Sequence, residues 1–201
     1  RGRWWEGEPR GYQPNKEYGN QISELKNYVA SSKAYTDTSV ANEAYKAMQG
    51  LFNGDKKLYI YADGEKEIID AVTTAKESGI QSIVIVGGYE AHKITDFLKK
   101  NAVPVLVQHT HNLPEMADDD YDLPYKLPKL LADAGVLVGL QNSGASNFQT
   151  RNLPFYAGQL VGQGMDKETA LQLITGNTAK ILGIDDSYGT LEVGKSATFF
   201  I

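Results

Sequence analysis

Four short runs, residues 58–62, 82–86, 103–107 and 136–140, constrain this chain more than any other feature. Each is rich in β-branched or aromatic residues and apolar on both faces, the pattern of strands buried on both sides of a parallel sheet. Helical spacing separates them. Ile68, Ile69, Val72 and Ala75 precede Gly79; Ile94, Phe97 and Leu98 precede Asn101; Leu127, Leu130 and Leu131 precede Gly135. After the fourth run, Pro154 is placed to open one helix and Asp166 to cap another. Strands alternating with helices in this way require a parallel sheet with right-handed crossovers. An open parallel α/β sheet, binding a ligand at a switch point, is the alternative that the same pattern allows.

Upstream, Ile22, Leu25 and Val29, then Ala44, Met48 and Leu51, step at helical spacing. Residues 1–20 mix Arg, Gly, Pro and aromatics without a period and read as an arm, with Trp4 and Trp5 needing a surface to pack on.

At 201 residues the chain can bury a real core but falls short of a complete (β/α)8 barrel, which takes about 250. Arg1 in place of a methionine and an apolar ending at 197–201 read as cut ends. The net charge is −5 with both signs interspersed, which gives no nucleic-acid stripe and no basic membrane face. No apolar run reaches the eighteen or so residues of a spanning helix. The reading is a soluble chain whose compartment stays open; an extracytoplasmic parent fits as well as a cytoplasmic one. There is no cysteine, so disulfides, thiolate metal sites and cysteine nucleophiles are excluded.

The stretch 173–200, LITGNTAKILGIDDSYGTLEVGKSATFF, reads as a helix that must stop and a strand pair that must follow. Asn177 is expected to cap a short helix through Ile181, Gly183 to sit just past its end, and residues 190–193 and 197–201 to form β-strands. The run T-x-N-x-A-K-x-L-G-I followed by G-x-L-E-x-G-K-x-A resembles the C-terminal signature of the amidohydrolase superfamily, particularly its imidazolonepropionase-like branch. That resemblance implies the C-terminal half of a metal-dependent (β/α)8 (TIM) barrel, with residues 186–201 starting a small β-sandwich. The expected organisation is an arm at 1–20, a partial barrel at 21–185 and truncated sandwich strands at 186–201. It also implies a hydrolase acting on non-peptide carbon–nitrogen bonds, cyclic amides among them, through a metal-activated water. A small-ligand-binding module or inactive pseudoenzyme is the alternative.

Parallel sheets place chemistry at the carboxyl ends of their strands. In the family, histidines at two such ends bind metal and an aspartate at a third is both ligand and base. The matching positions here are Tyr61, Gly87 and Ser143, all substituted, so the resemblance implies a divalent metal such as zinc only in a full-length parent and none in this segment. His109 and His111, two apart, are the remaining metal candidates. Asp63, Tyr89, Gln108, Asn142 and Arg151 are candidates for lining the mouth around a small polar ligand. The same residues as turn caps and ion pairs are the structural alternative, and Gly87-Gly88 reads as a tight strand-to-helix turn rather than a phosphate loop. Half a barrel leaves two strand edges open, so the expected partner, besides a small-molecule ligand, is the missing N-terminal half or a second copy.

Overall fold

The computed structural model describes residues 15–36, 41–108, 110–142 and 147–199. The arm with Trp4 and Trp5, and the site candidates His109 and Ser143, lie outside them. The chain divides between Gln49 and Gly50 into two compact units.

In the first unit, helix α1 (Tyr18–Ala34) starts four residues before Ile22, and Ser32 on it is fully buried. The hydroxyl of Ser32 donates to the Tyr28 carbonyl at 2.8 Å, and its own carbonyl accepts from Gln49 Nε2 at 2.5 Å. Helix α2 (Glu43–Asn53), whose residues through Gln49 belong to this unit, begins behind Asn42, whose side chain accepts the Tyr45 N–H at 3.1 Å. Tyr45 in turn meets the rings of Tyr28 and Tyr35 edge-on, at 5.3 and 5.9 Å.

The second unit is built on strands β1 (Leu58–Ala62), β2 (Ile83–Gly87), β3 (Val105–Val107) and β4 (Val138–Leu140), all parallel and in the order of the sequence. The connecting helices are α3 (Glu65–Glu77), α4 (Thr95–Lys100, entered by a 3-10 turn Ala91–Ile94) and α5 (Leu123–Asp133). After β4 come a 3-10 turn Asn147–Asn152 and helices α6 (Leu153–Gly162), α7 (Lys167–Gln172) and α8 (Gly176–Leu182).

The third and fourth strands start two residues later than expected. The cause is the way the preceding helices close: the N–H of Val103 returns to the Leu98 carbonyl and that of Val136 to the Leu131 carbonyl, at 2.9 and 3.0 Å. Those bonds complete a Schellman ending behind a left-handed residue, Ala102 (φ 52°) and Gly135 (φ 84°), and take the N–H out of the sheet. Ala102 is a non-glycine held at positive φ by this closure.

Consecutive right-handed crossovers that advance in one direction put their helices on one face of a sheet. The opposite face is covered by α8. Its Ile181 packs with Val84, Val86 and Leu106, and helix and sheet approach so closely that a Cβ at Gly139 would lie 2.8 Å from Thr178 Oγ1 and 2.9 Å from Leu106 Cδ2. Helix α8 crosses the whole sheet. At its start Asn177 Nδ2 donates to the Val138 carbonyl (3.1 Å); at its end Lys57 Nζ donates to the carbonyls of Lys180 and Ile181 (3.0 and 2.8 Å) and the Tyr59 hydroxyl to that of Ile181 (3.3 Å). Asn177 is therefore not the cap. Thr175 holds that position and Asn177 lies inside the first turn, turned toward the outer edge of β4, where the Leu140 N–H also finds the Leu173 carbonyl at 2.9 Å. Gly183 does end the helix in the left-handed conformation, at φ 75°.

The runs 190–193 and 197–199 are not strands. A strand needs a partner for its ladder, and among the described residues neither run has one. Leu191 and Val193 face water, and the segment is held as a turn by the Ser196 N–H on the Ser187 carbonyl (2.9 Å) and by Lys195 on Glu192 (3.2 Å).

Candidate functional site

The carboxyl ends of the four strands gather Asp63, the Gly87-Gly88-Tyr89 turn, Gln108, and Gln141-Asn142. They form two linked groups.

The first group spans β1 and β2. Gly87 and Gly88 both take positive φ, 102° and 72°, and the Gly88 N–H returns to the Ala62 carbonyl at 2.9 Å, which makes this a tight turn. It brings the Tyr89 N–H to Asp63 Oδ1 at 3.3 Å, and Asp63 Oδ1 occupies the space that a Cβ at Gly87 would need. Glu90 follows, with its N–H on the Asp63 carbonyl (2.8 Å) and its own carboxylate on the Glu65 N–H at the start of α3 (2.8 Å). The hydrogen bond from Lys93 and then that backbone N–H hold the Glu90 carboxyl below the ordinary glutamate range. An anion at a helix start is favourable, so this acid is structural.

Tyr89 carries the connection to the long loop between β3 and α5. Its hydroxyl donates to Asp119 Oδ2 at 2.5 Å and accepts the Glu115 N–H at 3.0 Å, while Asp119 Oδ2 also accepts the Met116 N–H at 3.2 Å. One phenol thus pins the loop to the end of β2. Burial first, and the bond to Asp119 next, push the Tyr89 hydroxyl up to about 12 from 10.0. A phenol with a raised pKa holds its proton longer when folded, so its contribution to stability is complete below about pH 10 and is lost as pH rises through 12. Tyr89→Phe is expected to lower stability by about 1–2 kcal/mol at neutral pH and to flatten part of the alkaline decline. Urea midpoints measured from pH 8 to 12 check this; an unchanged alkaline slope in the variant would remove Tyr89 as its source.

The second group spans β3 and β4. The ladder continues past the strands through the Gln141 N–H on the Val107 carbonyl at 3.0 Å, and Gln141 Nε2 donates to Gln108 Oε1 at 2.6 Å. Thr110, two residues on, is 5% exposed, and its hydroxyl and the Asn142 side-chain N–H are buried without a partner among the described residues. His111 lies against the rings of Tyr156 and Tyr125, centroids 4.7 and 5.7 Å away.

Of the candidates from sequence, Asp63 and Tyr89 meet at β1 and β2, and Gln108 and Asn142 sit at β3 and β4. Tyr61 is 69% exposed, and Arg151, on the 3-10 turn before α6, is also exposed. Among the described residues no three His, Asp or Glu side chains converge as metal ligands would. Of the positions matching the family's ligands, Gly87 offers no side chain, and its side-chain space is filled by a carboxylate already bonded to the Tyr89 N–H. Sequence reasoning missed Asp119 and Glu115 as partners of Tyr89, since both lie in a loop without a pattern, and it left Gln141 and Thr110 unselected.

A family model, the amidohydrolase family, matches residues 20–201. A solved amidohydrolase from Thermotoga maritima MSB8 superposes with a TM-score of 0.71 at 24% identity, over 90% of this chain and 47% of that protein. A second solved protein, uncharacterised, gives a TM-score of 0.51 at 16% identity, over 75% of this chain and 39% of its own. No curated protein matches the sequence. The four strands and their helices form a partial α/β barrel, and the chain spans about half the length of the Thermotoga relative.

Proposed function

This chain belongs to the amidohydrolase family, and within it we propose that this half-barrel binds a small polar ligand at its strand ends without hydrolysing it through a metal-activated water. The observation that carries the reading is the Asp63 carboxylate standing in the side-chain space of Gly87 and bonded to Tyr89. A metal site needs open donors converging on one point, and here the acid has been drawn into the turn instead. What remains at the mouth is a set of carboxamides, hydroxyls and rings suited to orienting a ligand.

Metal content of the purified chain by mass spectrometry, after loading with zinc, manganese and iron and then dialysis, tests this. The expected result is less than stoichiometric retention and no turnover of cyclic amides. Retained metal with turnover, both lost in Asp63→Asn, would overturn it. Coverage of only 47% of the Thermotoga relative favours a second reading for a longer protein. There, further strands would supply the ligands, and the parent would hydrolyse non-peptide carbon–nitrogen bonds in the manner of the imidazolonepropionase-like branch. In that protein the missing strands would also cover the outer edge of β1.

A further inference from the structure

We infer that Asn53 is a site of spontaneous deamidation, its carboxamide held by Asp55 for attack from the nitrogen of Gly54. Asn53-Gly54 is the chain's one Asn-Gly pair, and it stands where α2 ends.

The fold brings the reacting groups together. Gly54 takes φ 89°, and even an added Cβ would meet nothing within 4 Å among the described residues, so its nitrogen is open to approach. The Asn53 carboxamide is pinned at both ends: Oδ1 accepts the Asp55 N–H at 3.1 Å, and Nδ2 donates to Asp55 Oδ2 at 2.7 Å. Accepting from the N–H two residues on folds the carboxamide back over the backbone that contains the Gly54 nitrogen. The same N–H is in place to stabilise the charge that Oδ1 gains during attack. Asn53, Gly54 and Asp55 are all exposed, so water reaches the site. Asn53 is also the last residue of its helix, where the backbone frays most readily into the geometry that ring closure needs.

The step needs no partner but water. The Gly54 nitrogen loses its proton to solvent and bonds to the Asn53 side-chain carbon. The Cγ–Nδ2 bond then breaks, and the nitrogen takes a proton from solvent and leaves as ammonia. Water opens the five-membered imide at either carbonyl, giving aspartate or isoaspartate, and nothing is oxidised or reduced. Either product sets a second carboxylate near Asp55 at the C-terminal end of a helix, where negative charge is unfavourable. The isoaspartyl form also adds one carbon to the backbone of the turn that the Lys56 N–H closes on the Gly50 carbonyl at 2.8 Å.

Asn101 and Asn177 are internal controls. Each has its Nδ2 on a backbone carbonyl, of Phe97 and Val138 at 2.9 and 3.1 Å, and each is followed by a residue with a side chain, Ala102 and Thr178.

Peptide mapping by mass spectrometry, on the whole folded chain incubated at mildly alkaline pH, tests this. Acid at position 53 is expected to accumulate several-fold faster than at 101 or 177. It should form several-fold more slowly in Asp55→Ala, which keeps the backbone N–H but releases Nδ2. Asn53→Asp, which fixes one product in place, should melt about 2–4 °C lower than wild type. Conversion at 53 no faster than at the two controls would overturn the site. A rate unchanged in Asp55→Ala would overturn the part given to Asp55.

Discussion

Gly87→His is expected to destabilise the protein by about 2–4 kcal/mol and to gain no metal, although it restores the residue type that the family places at this strand end. Two costs add. Gly87 sits at φ 102°, where an L side chain is strained by about 1–3 kcal/mol. Its Cβ would also land on Asp63 Oδ1, so the carboxylate must leave and the Tyr89 N–H loses its acceptor. Gly87 is buried and in register with both Ala62 and Val107, which limits how far the backbone can relax.

Urea unfolding of Gly87→Ala separates these terms. Alanine should cost nearly as much as histidine, because both the strain and the collision begin at Cβ. In a double-mutant cycle Asp63→Ala should recover part of the loss by vacating the space. Wild-type stability in Gly87→Ala would mean that Asp63 does not fill this site, and the argument against a metal here would go with it.

The contrast between strands and site shows what a sequence of this kind makes visible. The first strand, 58–62, matches β1 residue for residue, because a β-branched and aromatic run bounded by turns has few other solutions, although this edge strand is not covered on both faces as expected: Tyr59 and Tyr61 are exposed. Asp166 as a cap was equally readable, since the acceptor and the Thr169 N–H that it takes (3.0 Å) lie three residues apart. The identity of what covers the second face was not. That is a property of α8 crossing from β4 to β1, and it depends on Gly139 being small and on Lys57 lying more than 120 residues before the carbonyls it binds. Asn177 illustrates the same limit: the local pattern favours a cap, but the long-range bond to Val138 sets its role. In the site, strand ends selected Asp63, Tyr89, Gln108 and Asn142, whereas the Tyr89–Asp119 bond joins residues thirty apart across a loop whose three successive acids look interchangeable. Only one of them is placed to take the phenol.

Ile181→Ala should lower stability by about 2–5 kcal/mol, the usual range for emptying a fully packed core position. Ile181 is 1% exposed and meets Val84, Val86 and Leu106, the row that faces α8 from the two central strands. Its backbone carbonyl also takes Lys57 Nζ and the Tyr59 hydroxyl, so loosening α8 disturbs the tie to β1 as well as the packing. The consequence goes beyond a cavity. Helix α8 is only seven residues long and is held by tertiary contacts, because a helix this short has little stability of its own. Weakening its grip should expose the valine and leucine row to solvent, giving increased binding of a hydrophobic dye and concentration-dependent association at temperatures where the rest of the unit stays folded. Leu127→Ala supplies the comparison: Leu127 is equally buried but lies on α5, one of the crossover helices, so its loss should cost similar stability without uncovering the α8 face. Dye binding that rises equally in both variants would mean that α8 unfolds only together with the whole sheet, and its role would then be that of an ordinary core helix.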